Sequence, residues 1–192
     1  MNFPLDARFK LFTIASQISV TDATGGVVLY AKQKAFKLKE AVTVFADEAQ
    51  TRPLFKISAD RMLDISAKYH VHDVGGAEVA VLQRQGMRSL WRLHFDVAIG
   101  GRSAYTVREE NPWTKVLDEL LGSIPVVSLL TGYFFNPSYL VTRTDGQTVL
   151  RVAKQPAFLE GRFTLQLAGP DPVPDALVVA VLMMLSLERE RG

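Results

Sequence analysis

The chain has 192 residues, 48% of them hydrophobic and 22% charged, with a net charge of +2. This is globular usage, which excludes a disordered or fibrous chain, and the charge excess is too small for a dedicated nucleic-acid binder. Cysteine is absent, which excludes disulfides, thiolate metal sites and a cysteine nucleophile.

The opening MNFPLDARFKLFTIAS carries Asp6, Arg8 and Lys10 where a secretory signal needs an unbroken apolar core, so a cytoplasmic location is expected. The chain then breaks into short runs rich in β-branched and aromatic residues. VVLYAKQKAF, AVTVFADE, PLFKIS, EVAVLQR, LWRLHFDVAI and SAYTVRE predict strands, joined by polar or glycine-bearing turns. A weak repeat runs through them, in which a strand ends in Asp and Gly and the next finishes in a basic residue followed by Gln. Its copies are SVTDATGGVVLYAKQ, YHVHDVGGAEVAVLQRQ and, later, YLVTRTDGQTVLRVAKQ, and AIGGRSAY resembles a fourth. Asp with Gly supplies the backbone conformations a hairpin turn requires, so these predict copies of one hairpin.

After these strands comes a helical pattern. Asn111 is placed to cap it, Pro112 suits its first position, and Trp113, Val116, Leu117, Leu120 and Leu121 form one apolar face ended by Gly122. Such an amphipathic helix is expected on the outside of the fold. SIPVVSLLTGYFFNPSY follows, apolar but punctuated by Pro125, Gly132 and Pro137, and reads as a connection with some strand character. YLVTRT, TVLRVAK and RFTLQL are the last predicted strands.

From Ala176 to Leu187 only Ser186 is polar. As a helix these residues would rise roughly 18 Å, short of the ~30 Å of a bilayer core. An interfacial helix needs a polar face, yet successive ~100° steps carry Leu177 through Leu185 right round the cylinder without one. A helix apolar on every side must be enclosed by protein, and Pro174 and Asp175 suit its start. The valines would also suit a buried strand, but the run is long for one and LMMLSLERER consists mostly of good helix formers.

A dozen or so strands and one all-apolar helix predict a mainly β fold: a closed, roughly twelve-stranded barrel around a central hydrophobic helix at about 175–188, with one additional amphipathic outer helix. No hydrophilic linker divides the chain, so residues 1–192 are expected to form a single domain without a transmembrane span.

VLYAKQKAFKLKEAVTVFADEAQTRPLFKISADRMLDISAKYHVHDVGG, YLVTRTDGQTVLRVAKQ and the terminal apolar helix together resemble the LURP-one-related proteins. These are relatives of the phospholipid scramblases and of the tubby C-terminal domain. The resemblance implies a twelve-stranded closed barrel threaded by a hydrophobic C-terminal helix, tubby-like in fold. It implies no specific activity. Tubby domains bind phosphoinositides through basic side chains, and scramblases are associated with lipid movement, calcium and a palmitoylated cysteine-rich segment, which this sequence lacks.

Among candidate sites, AKQKAFKLKE sets Lys32 and Lys34 on one strand face, with Lys37 and Lys39 following at the same spacing. Such a cluster suits anionic lipid head groups, at about 1 kcal/mol per basic contact near a charged membrane. The plainer reading is a solvated strand whose lysines discourage edge pairing. Arg84, Arg88 and Arg92 form a second basic group, read as ordinary surface. His70 and His72 share a strand face beside Asp73, a pattern open to metal binding or proton transfer, with His94 the nearest candidate third ligand. Surface histidines beside a hairpin are the plainer alternative. Asp60 and Asp64 are expected to flank a turn. No nucleotide-binding or nucleophile-elbow motif is present, and no cofactor is called for. The favoured expectation is a non-enzymatic cytoplasmic barrel that binds a ligand or partner, peripheral at an anionic membrane through the four lysines. The competing classes are a metal-dependent hydrolase built on His70, His72 and Asp73, and a purely structural protein-interaction domain.

Overall fold

The computed structural model describes residues 1–10, 15–34, 42–60, 68–85, 94–110, 137–157, 160–169 and 174–189. The amphipathic helix expected from Asn111 and most of the connection after it lie outside the described residues. Twelve strands precede one helix: β1 (Leu5–Lys10), β2 (Ala15–Thr21), β3 (Val27–Lys34), β4 (Val42–Phe45), β5 (Pro53–Ala59), β6 (Lys68–Asp73), β7 (Glu78–Arg84), β8 (His94–Ile99), β9 (Arg102–Glu109), β10 (Ser138–Arg143), β11 (Thr148–Gln155), β12 (Glu160–Leu167) and α1 (Pro174–Arg189). Each strand pairs with the next, β1 pairs antiparallel with β12, and the sheet closes into a barrel with no free edge.

Period-two alternation drives each strand into this wall. In β1, Leu5, Ala7 and Phe9 are buried while Arg8 and Lys10 are exposed, so LDARFK is a strand in a stretch where none was expected from sequence. Inward residues from all twelve strands meet in one apolar core, and the outer face carries Arg8, Lys32, Lys56, Gln83 and Arg162. That polarity is the reverse of a lipid-facing barrel, whose outer band is apolar.

Three of the hairpins are copies, as the repeat implied. In β2–β3, β6–β7 and β10–β11 the first turn residue, Asp22, Asp73 or Arg143, donates its backbone amide to the carbonyl of Gly26, Ala77 or Gln147, and its own carbonyl accepts from the amide of Gly25, Gly76 or Gly146. Those three glycines have φ of +84°, +87° and +89°, a region in which a side chain is strained. In each copy the register slips at the last pair before the turn. The third copy differs in one respect: Arg143 takes the place of Asp22 and Asp73, and Asp145 instead accepts from the Gln147 amide at 2.9 Å. AIGGRSAY is a different turn, with Gly100 and Gly101 in succession at φ +55° and +76°, the two-residue form that mirrors a common β-turn.

A twelve-stranded barrel is wider than the eight-stranded kind that strand side chains alone can fill, and here the extra width is taken by α1. Val179 to Met184 are all buried, and because successive residues step ~100° round the axis, no side of that stretch faces water. The one polar side chain among them and their neighbours, Ser186, is 2% exposed and donates its hydroxyl to the Leu182 carbonyl at 2.8 Å, so it brings no unmet polar group into the core. Among the described residues no helix is long and apolar enough to cross a membrane.

The barrel has two unlike ends. β2–β3, β4–β5, β6–β7, β8–β9 and β10–β11 are joined by short turns at one of them, the turn end. The odd-numbered strands all finish at the other, here the connection end. β12 finishes at the turn end, so α1 starts there and runs toward the connection end. Asp175 in its first turn is close enough to Tyr105, beside the β9–β10 pair with Arg143, to add to burial in raising that phenol above its ordinary value.

Candidate functional site

Lys32 lies on β3 just after Ala31, in the phase opposite to the buried Leu29 and Ala31, and is exposed on the outer face. Lys34 ends the strand, in register with Ala15. Lys37 and Lys39 lie outside the described residues. The structure adds one residue that sequence spacing could not supply. Lys32 faces Gln17 on β2, and Gln17 faces Lys10 on β1, so Lys10 and Lys32 stand two strand spacings apart, about 10 Å, on the same outer face. Both are exposed, and among the described residues no ion pair engages either.

Beside them the basic side chains of Arg8 and Arg162 are held by one carboxylate. Asp6 accepts from the Arg8 and Arg162 Nε atoms, each at 2.8 Å. Burial alone would raise the Asp6 pKa, but these two hydrogen bonds and charges outweigh it and hold the carboxyl below its ordinary value. The patch therefore grades from neutralised arginines on β1 and β12 to the exposed lysines Lys10 and Lys32 on β1 and β3.

The histidines are arranged differently. His70 and His72 do share the outer face, their rings stacked with centroids 6.5 Å apart, but His70 Nδ1 is held 2.6 Å from Glu78 Oε2. Asp73 belongs to the turn, where its Oδ1 accepts the Ala77 amide at 2.9 Å. It is one residue on from His72, and so lies in the opposite phase of the strand. His94 pairs with Asp96 at 3.1 Å near the connection end, four residues along β8 from Ala98, which shares the row of His70. That separates them by ~13 Å along the strand and a further ~10 Å across it. Among the described residues no three His, Asp or Glu side chains converge as a metal site. The expected turn role of Asp60 is seen: its Oδ1 accepts the Lys68 amide at 2.9 Å, while Asp64 lies outside the described residues.

Sequence reading missed a second polar group, inside the barrel. Arg84 ends β7 in phase with the buried Ala80 and Leu82, so it faces inward and not onto the surface as expected; Arg88 and Arg92 lie outside the described residues. Glu109 ends β9, 9% exposed, in register with the buried Tyr139. Lys154, next to last in β11, sets its Nζ 5.8 Å from the centre of the buried Phe163 ring. All three residues end or nearly end their strands at the connection end, toward which α1 runs. A signal for two of them was present. Counted from the turn glycine, Lys32 is seven residues on from Gly25, whereas Arg84 and Lys154 are eight on from Gly76 and Gly146. One residue changes the face of a strand, so the apparently repeated basic residue points out in the first copy and in for the other two.

The family model for LURP-one-related proteins matches residues 27–186, from the start of β3 to within α1. No curated protein and no solved structure matches the chain.

Proposed function

Starting from a chain that belongs to the LURP-one-related family, we propose a non-enzymatic binding or scaffold domain, cytoplasmic and peripheral at the membrane, that contacts anionic phospholipid head groups through Lys32, Lys34, Lys37 and Lys39. The observation that carries this reading is the exposed pair Lys10 and Lys32 on one outer face, with Lys10 also in register with Glu160 of β12. Two exposed cations held on one face of the wall offer a phosphate two donors. The catalytic alternative draws less support, because Asp73 is spent on its turn and His70 on Glu78.

Co-sedimentation with phosphatidylglycerol-containing vesicles tests the reading. Binding should weaken as salt is raised, and Lys10→Ala with Lys32→Ala should together cost about 2 kcal/mol, roughly 30-fold in affinity. Binding that ignores both salt and the two lysines would end the lipid reading and favour a protein partner.

A further inference from the structure

The two histidines of β6 stand where the fold itself asks for none. Counted back from the turn, His70 and His72 hold the outward positions that Ser19 and Thr21 hold in the β2–β3 hairpin, and Leu140 and Thr142 in the β10–β11 hairpin. Counted forward from the turn glycine, Glu78 takes the place of Val27 and Thr148. The three hairpins share one turn and one slip in register, so hydroxyls and aliphatic side chains serve the wall at these positions as well as imidazoles and a carboxylate do.

The slip in register decides what faces them. Val71 pairs with Ala80 but His72 with Glu78, so Glu78 joins the outer face and its carboxylate reaches His70. An ionised carboxylate only accepts, so the 2.6 Å contact at Nδ1 fixes the proton on that nitrogen and leaves the Nε2 lone pair of neutral His70 open. A carboxylate behind one ring nitrogen, with the other nitrogen turned away from it, is the arrangement that orients a histidine as a metal ligand and makes it more basic. His72 follows at the next outward position of the strand, its ring 27° from parallel with that of His70 and the centroids 6.5 Å apart. The His70 side chain is 29% exposed and His72 is also half-buried, so both rings reach solvent.

We propose that His70 and His72 together bind one divalent transition-metal ion on the outer wall, copper(II) foremost, with Glu78 as the positioning carboxylate and water completing the coordination. Two nitrogens each about 2 Å from one ion lie within about 4 Å of each other, so the rings lean together from their present spacing by side-chain rotation alone. Among the described residues no three His, Asp or Glu side chains converge, which makes this a two-imidazole chelate and not a closed cage. Imidazole suits copper, nickel and zinc, and copper stands highest of these in affinity and accepts a tetragonal site. Lys56 is in register with His72 from β5 and opposes a cation, and Glu78, in register from β7, offsets that charge.

Titration of the intact protein with copper(II) chloride, followed by electron paramagnetic resonance, reads the ligands directly. One equivalent should bind, with coupling to two imidazoles. Loss of an orienting partner costs about 10–100-fold in metal affinity, and loss of a ligand at least as much. His70→Gln and His72→Gln should therefore each weaken binding by more than about tenfold and leave a single coupled imidazole, whereas Glu78→Ala should weaken it about tenfold and keep both. His94→Gln should alter neither affinity nor spectrum. All of these side chains face outward, so the variants leave the core intact. Copper held equally well by the His70→Gln and His72→Gln proteins, or coupled in the parent to fewer than two imidazoles, would overturn the site. Unchanged affinity in Glu78→Ala would overturn the positioning role.

Discussion

Alanine in place of Leu182, Met183 and Met184, one at a time, tests whether α1 is the axis of the barrel. The three side chains are 1%, 0% and 0% exposed and are consecutive, so they point across ~200° of the helix circumference. A helix lying on a surface would offer at least one of such a trio to water. An enclosed helix makes every one a cavity, and truncating a buried Leu or Met to Ala costs about 2–5 kcal/mol. For a chain of this size each kcal/mol lowers Tm by about 2–4 °C, so each variant should melt about 5–20 °C below the parent. Urea unfolding followed by circular dichroism and by tryptophan fluorescence supplies the free energies, provided the two transitions coincide. Leu182→Arg goes further, because a lone buried charge costs several kcal/mol against a total stability of about 5–15 kcal/mol, and should leave little folded protein. If any of the three alanine variants costs less than about 0.5 kcal/mol, the value usual at a surface, the enclosed-helix argument fails.

Gly76→Ala should destabilise by about 1–2 kcal/mol through backbone strain alone, since its φ is +87° and a Cβ there would meet nothing within 4 Å; a variant as stable as the parent would disprove the strain. The Asp22 carboxyl is held down at about 2, first by the Thr24 hydroxyl and then, against partial desolvation, by the amides of Asn2, Thr24 and Gly26. A carboxyl depressed in the folded state contributes stability that is present above its unfolded value near 4 and is lost as pH falls toward 2, so Asp22→Asn should flatten the parent's loss of stability across that window in urea titrations. Charge reversal separates the two faces: Lys32→Glu should change unfolding free energy by less than about 0.5 kcal/mol, and Lys154→Glu, inside the barrel beside Phe163, by more than about 1 kcal/mol.

The architecture was legible because two periodicities were unambiguous. An all-apolar helix has no stable place except inside a wall, and strands that alternate in polarity can make one only by closing. The turn chemistry was equally open to reading, since Asp followed by Gly has few conformations to choose from, and three of the hairpins share the same backbone hydrogen bonds. β1 escaped because its alternation was judged only as an interruption of a signal sequence, and six residues are a short stretch in which to see a period of two. The site was less legible for a different reason. Lys10 and Lys32 are 22 positions apart in sequence and become neighbours only through the pairing of β1, β2 and β3, which no local pattern states.

The filled interior bears on where a ligand would be met. Many closed barrels bind in their interior, but here Leu177, Val179 to Met184 and the inward strand residues occupy that space together, so a ligand could enter only by displacing α1 and the core it completes. On the lipid reading, recognition then falls to the outer wall and the two ends. On the wall, cations paired with Asp6 must give up that partner to bind an anion, whereas Lys10 and Lys32 need not. At the ends, the polar turns are held by their own hydrogen bonds, with Asp22, Asp47 and Asp73 each committed to nearby amides.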